Sequence, residues 1–178
     1  NHASSILYLP NGELFVCWYR GSGERTADDV QIMAARKPKG AKSWTPPFVL
    51  ADQPEFPDTN PALFLDHGKR LWLFWQTIVA NQWETAINNY RIASSYGKAG
   101  VPHWDRADIL LVKPARIAEL TEQFAARYKG TPYEKNAARK VEQAKDKYFS
   151  RMGWMTRAHP VQLASGRILV GLYSDGFS

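Results

Sequence analysis

One cysteine, Cys17, stands in 178 residues, so no disulfide forms within the chain. It lies in the apolar run LFVCWY and reads as a core residue that says nothing about compartment. No apolar run approaches the roughly 20 residues that a membrane span needs. A strong one-sign charge is also lacking. The formal charge is +6, but residues 115–151 hold nine Lys or Arg against five Asp or Glu, so +4 sits there and +2 everywhere else. A solvated helix face accounts for that segment, and no nucleic-acid partner is expected. Asn1 opens the chain without Met or leader and both ends read as cut, so the lack of a targeting signal excludes nothing. What is present is core material: 44% hydrophobic residues, 13% aromatic and seven Trp.

The chain says one thing three times. SILYLPNGELFVCWYRG, NPALFLDHGKRLWLFWQ and HPVQLASGRILVGLYSDG each read as apolar run, tight polar turn, apolar run, which is a β-hairpin. Aligned on Gly12, Gly68 and Gly166, they place Leu9, Leu65 and Leu163 together. A second element recurs sixty residues on: Ile32, Ala34, Ala35, Gly40 and Trp44 match Ile92, Ser94, Ser95, Gly100 and Trp104. One repeat is thus four short strands in about 55–60 residues, the mark of a propeller blade, with a generic β-sandwich as the plainer alternative. The expected fold class is all-β, a β-propeller. Blade one spans 1–52, blade two 53–113, and the start of blade three 154–178. Such a partial set cannot close a ring, so the chain is expected to belong to a longer protein.

Residues 114–153 break the pattern. Ile117, Leu120, Phe124 and Tyr128 share a helical stripe that Gly130 ends. Thr131-Pro132-Tyr133-Glu134 then reads as a capping box, and Val141, Ala144, Tyr148 and Met152 continue a second stripe to Gly153. An inserted αα-hairpin is expected, serving as a rim or as a decorated loop.

Strand parity sorts the loops. The turns LPNG, LDHG, LASG, KPKGAKS and GKAGVPH fall at one end and are plain. The other end collects RGSGERTADD, QTIVANQWET, YSDGFS, DQPEFPDTN, the helical insert and the residues before each first strand. Ligands bind where variable loops converge on a rigid scaffold. In the richest loop, Glu24, Asp28 and Asp29 stand beside Arg20 and Arg25, which fits an acid or base for glycosidic chemistry with a clamp for an anionic sugar. Because Asp28 and Asp29 are adjacent, one is expected to be raised in pKa by the other. The plain alternative is an exposed, salt-bridged loop. His2, Arg20, Arg25, Asn60, Arg157, His159 and Asp175 are the candidate substrate contacts, with Arg157 and His159 read as repeating the place of His2. Ligand spacing for a metal is lacking, and neither metal nor cofactor is expected.

These stretches, from HASSILYLPNGELFVCWYRGSGERTADDVQIMAARK through NPALFLDHGKRLWLFW to GWMTRAHPVQLASGRILVGLYSDG, resemble the sialidase (neuraminidase) superfamily in its BNR-repeat-like branch. The resemblance implies a six-bladed propeller of which this chain supplies about two and a half blades. It implies an exo-acting glycosidase on a glycan or sialoglycoconjugate, in a secreted or periplasmic setting. It maps the acid/base onto Asp28 or Asp29, with Glu24 as competitor, and carries Arg157 over as substrate-binding. His2 stands about where the family keeps an arginine of its carboxylate-gripping triad. The Asp box survives only as turn and Trp, with Lys39 and Ala99 before Gly40 and Gly100. The departures leave two other readings open: a non-catalytic carbohydrate-binding propeller, and a same-fold hydrolase or lyase acting on another polysaccharide.

Overall fold

Short alternating runs hide their apolar faces most simply by pairing each run with the next and stacking the resulting sheets. The computed structural model, which describes residues 1–97, 99–157 and 159–177, does this. Strands β1 (His2–Tyr8), β2 (Leu14–Arg20), β3 (Gln31–Lys37) and β4 (Phe48–Ala51) form one antiparallel sheet in chain order. Strands β5 (Asp58–Leu65), β6 (Leu71–Ile78), β7 (Ala86–Ala93) and β8 (Arg106–Leu110) form a second in the same order. After a helical segment, β9 (Met155–Thr156) pairs with β12 (Leu172–Tyr173), and β10 (Val161–Gln162) with β11 (Ile168–Leu169). The fold is all-β and antiparallel. Among the described residues no helix is long and apolar enough to cross a membrane.

Burial follows from stacking. Phe15, Cys17, Ile32 and Leu50 of the first sheet share a core with Leu63, Leu73 and Trp75 of the second. On the second sheet's other face, Ala62, Phe64 and Phe74 take Ile168 and Val170 of the third hairpin. Strands β5 and β6 are therefore buried on both faces, whereas β2 alternates. Each large apolar side chain so covered contributes about 1.5–3 kcal/mol. Cys17 is fully buried, and burial pushes its thiol far above the usual cysteine range, which makes it inert packing.

The turns correct the repeat register by one residue. Gly12, Lys69 and Gly166 each donate to the carbonyl three residues back, of Leu9, Asp66 and Leu163. All three carry positive φ, at 84°, 60° and 85°. The counterpart of Gly12 is therefore Lys69, not Gly68, and that of Leu9 is Asp66, not Leu65. Gly68 misled because a lysine occupies the left-handed position that glycine favours. The sixty-residue match is likewise split. Leu14 pairs Lys37 and Leu71 pairs Ala93, so along the third strands the spacing is fifty-six and Ile32 answers to Asn88. Gly40 and Gly100 keep the spacing of sixty, at φ 77° and 79°, because the second turn is longer by four residues.

Two bulges shape the first strand of each four-stranded sheet. Register shifts occur between His2 and Ser5 in β1 and between Thr59 and Ala62 in β5, and Ala3 and Asn60 both sit at φ 46°. A bulge turns the strand and re-aims the side chains beside it.

The helical segment holds α1 (Ile117–Ala125), α2 (Glu134–Lys145) and α3 (Lys147–Arg151). The capping box is displaced: Glu134 Oε2 accepts from Gly130 N at 2.9 Å, and Thr131 Oγ1 from Tyr133 N at 3.3 Å. The second stripe is not one helix. Asp146 is extended, and its carboxylate caps α3 by accepting from Tyr148 N and Phe149 N at 2.8 and 3.2 Å.

Candidate functional site

The loops that parity sends to one end do meet there. Asn81 Nδ2 donates to Arg25 O at 2.8 Å, and the Arg25 guanidinium lies 5.6 Å from the Trp83 ring centre. Asp58 N donates to Val30 O at 2.8 Å, and Gly153 N to Ala86 O at 3.1 Å. Lys140 Nζ reaches across from α2 to Gly176 O. The far end is built for stability. There Arg36 is buried, bonded to Glu13 Oε2 at 3.2 Å and to Gly100 O at 2.9 Å, over the Phe15 ring.

At the ornate end a polar cluster forms where β1 and β2 finish. His2 and Tyr19 are cross-strand partners. His2 Nδ1 lies 2.8 Å from the Tyr19 hydroxyl, which donates to Glu24 Oε1 at 2.5 Å. Because the single hydroxyl proton goes to Glu24, His2 must donate from Nδ1, and the three groups form one directed chain. Glu24 Oε2 and His2 Nε2 stay outside these contacts. Tyr19 is only 3% exposed while the side chains of His2 and Glu24 are 61% and 46% exposed, so a buried hydroxyl positions two accessible groups. Burial first, then the bond to Glu24, pushes the Tyr19 pKa well above the ordinary range, while Arg157 works the other way. Tyr19 thus stays protonated as a donor.

Arg157 reaches the same place from the third hairpin. Its Nε donates to Tyr173 Oη at 3.2 Å and its guanidinium lies 5.2 Å from that ring's centre. Tyr173 Oη in turn reaches Met155 Sδ at 3.8 Å. Arg157 and Tyr173 are both near enough to Tyr19 to act on its ionisation, in opposite directions.

The remaining sequence candidates sort by contact. Asp29 accepts from Ser22 N at 3.0 Å and from Ser22 Oγ at 2.9 Å, and these bonds lower its pKa. The expectation of a raised Asp in this loop is thereby corrected for Asp29: bonded donors stabilise its charged form, and it clasps the loop that carries Glu24. Asp28 is exposed and has no bond among the described residues. Arg25 is engaged with the Trp83 loop. Asn60 is buried behind the cluster, its Nδ2 3.7 Å from Met155 Sδ and its carbonyl accepting from Thr156 Oγ1 at 3.0 Å. Arg20, His159 and Asp175 are exposed on the rim. By pairing, the residue matching His2 is Met155, which faces Tyr173 as His2 faces Tyr19. Arg157 and His159 therefore do not repeat the His2 position; they lie in the break between β9 and β10.

Sequence reasoning missed Tyr19 and Tyr173. The signal was there, since each closes the second run of its hairpin just before a glycine-containing loop, in WYRG and LYSDG. It placed Asp58 at this end, within DQPEFPDTN, but gave it no role; its fully buried carboxylate accepts from Gln53 N at 2.6 Å, Thr77 Oγ1 at 2.5 Å and Trp75 Nε1 at 3.0 Å. Burial outweighs these donors and raises its pKa to about 6.

A family model for the BNR repeat-like domain matches residues 12–177. No curated protein sequence matches the chain. Among solved structures, a protein of unknown function from Dyadobacter fermentans DSM 18053 aligns with a TM-score of 0.56 at 12% identity, over 93% of this chain and 44% of its own. The Hadza microbial sialidase Hz136 aligns with a TM-score of 0.49 at 13% identity, over 61% of this chain and 25% of its own. The former likeness is one of fold alone, and the chain spans less than half the length of either protein.

Proposed function

This chain belongs to the BNR repeat-like domain family, and on that premise we propose that it is a sialidase-like glycoside hydrolase acting on a terminal sugar of a glycan. In this reading residues 1–52 and 53–113 are blades one and two of a six-bladed propeller, 114–153 an inserted helical rim, and 154–178 the start of blade three. The observation that supports it most is the chain from His2 through Tyr19 to Glu24 beside Arg157 and Tyr173.

Glu24 is then the acid/base. With Oε1 held by Tyr19, Oε2 gives a proton to the glycosidic oxygen as its bond to the anomeric carbon breaks. The carboxylate so formed takes a proton from the water that adds to that carbon. Arg157, held against Tyr173, takes an anionic group of the sugar, and His2 and Arg20 flank it. Asp28 is the competing acid/base, and Asp29 holds the loop.

The test is turnover of a panel of terminal glycosides, sialosides included, by the intact protein and by Glu24→Gln. Loss of about 10²–10⁴-fold in kcat supports the assignment. Unchanged turnover removes Glu24, and loss in Asp28→Asn instead moves the role there. A second reading, a glycan-binding propeller without catalysis, is favoured by His2 standing where the family keeps an arginine. It predicts glycan binding with no turnover.

A further inference from the structure

Helix α1 is amphipathic, yet none of its residues is buried. Leu120 and Phe124 are 50% and 51% exposed. They face a groove of about 710 Å3 whose other walls are Tyr133 just before α2, Ala137 of α2, and Trp154. That volume and lining suit a small molecule that buries an apolar body. Phe124, Tyr128 and Tyr133 meet at tilted and edge-on angles, with centres 5.1 and 6.2 Å apart, and line it with ring surface.

Two observations say what lies there. First, two residues of the groove adjoin the polar cluster along the chain or through a bond. Trp154 directly precedes Met155, which underlies Tyr173, and Lys140 of the groove holds Gly176 O just beyond Tyr173. Second, both cations lining it are already engaged: Arg116 donates to Glu119 at 2.9 and 2.6 Å, and Lys140 to that carbonyl. The groove therefore asks for a neutral, apolar occupant rather than an anion. We infer that it seats the apolar aglycone, aryl or alkyl, of a glycoside whose sugar occupies the His2–Tyr19–Glu24 cluster. This rests on reading that cluster as a glycoside site, and it narrows the substrate class to amphiphilic glycosides.

The probe is 4-methylumbelliferone, the aryl aglycone alone, titrated into the intact protein and followed by energy transfer from tryptophan. Saturable binding is expected, weakened at least tenfold in Leu120→Ser/Phe124→Ser, whose half-exposed side chains can be changed without opening a core. A second arm compares kcat/KM for 4-methylumbelliferyl and methyl glycosides of one sugar: the aryl preference should shrink in the double variant while methyl glycoside turnover holds. No saturable binding by the unchanged protein, binding unaffected by the double variant, or self-association that 4-methylumbelliferone does not compete with, overturns the inference. The binding arm needs no turnover. An aglycone that binds in a protein cleaving no glycoside would sink the hydrolase reading and leave the groove an apolar ligand site.

Discussion

Asp58 tests whether burial or hydrogen bonding governs the carboxylate that opens the second sheet. Its carboxylate is held by three donors, yet its pKa lies near 6 in the folded protein against an ordinary value of 3.8. A carboxyl raised in the folded state makes that state bind its proton more tightly than the unfolded chain does. Its contribution to stability is therefore full below about pH 4 and is lost as pH rises through 6. A difference of about two units at 1.36 kcal/mol each is about 3 kcal/mol. Other carboxylates pull the opposite way, since Asp29, Asp66 and Asp105 are lowered by their donors. The informative quantity is then the difference between the protein and Asp58→Asn. Asparagine keeps an acceptor for Trp75 and Thr77 but turns an amide toward Gln53 N–H, a penalty that does not depend on pH. Urea unfolding followed by tryptophan emission at pH 4, 5, 6, 7 and 8 should show the unchanged protein losing about 3 kcal/mol relative to the variant across that range. With a slope near 2 kcal/mol per molar urea, that moves the relative midpoint by about 1.5 M. A difference flat to within about 0.5 kcal/mol would mean that the three donors solvate the carboxylate as well as water does, and the reasoning fails.

Four further outcomes follow from the geometry. Arg36→Met strands the buried Glu13 carboxylate and should cost about 3–5 kcal/mol by urea unfolding, most of it recovered in Arg36→Met/Glu13→Leu. Lys69→Gly should stabilise by about 0.5–1 kcal/mol, because φ is 60° there, visible as a raised urea midpoint. Gly153→Ala would set a Cβ 2.8 Å from Glu84 Cα at φ 76°; faster hydrogen exchange at the backbone N–H of position 153, which donates to Ala86 O, should report the helical segment loosening. On the proposed hydrolase reading, Tyr19→Phe keeps its ring in the core but removes the hydroxyl that bonds both His2 and Glu24, so it should lower kcat about tenfold or more and change the pH–rate profile while the melting curve barely moves.

The sheets were readable in the residues because each hairpin carries its own turn chemistry: Asn11-Gly12 and Ser165-Gly166 place glycine where φ is positive, and apolar runs flank them. Register was less readable. Lys69 adopts the glycine conformation beside a real glycine, so any alignment on Gly68 slips by one, and a slip of one in a strand exchanges its two faces. Asp146 shows the same limit in the helical segment. Its neighbours continue the apolar stripe, but the capping value of an aspartate at that point outweighs periodicity and starts a new helix.

The site was legible in its loops and illegible in its strands, and the cause is physical. Glu24, His2 and Arg157 are polar residues in loops or at strand ends, so composition alone marks them. Tyr19 reads as the last aromatic of a core strand, and its ring is indeed core. Only its hydroxyl leaves the core, and whether that oxygen meets anything depends on what the neighbouring strand presents. A bulge between His2 and Ser5, with Ala3 at φ 46°, sets His2 opposite Tyr19 instead of one step along. In the second sheet the bulge recurs at Asn60, but the facing pair is Thr59 and Gln76, and Gln76 turns inward to Asn88 and Thr156 at 2.8 and 3.0 Å. In the third hairpin the pair is Met155 and Tyr173, and the hydroxyl finds sulfur and Arg157. One backbone device, the bulge, thus serves two chemistries, a proton chain and a buried amide clasp, and the third hairpin, broken between β9 and β10, makes a cation mount at the matching pair. The backbone repeats, and what differs is the pair of side chains placed across it.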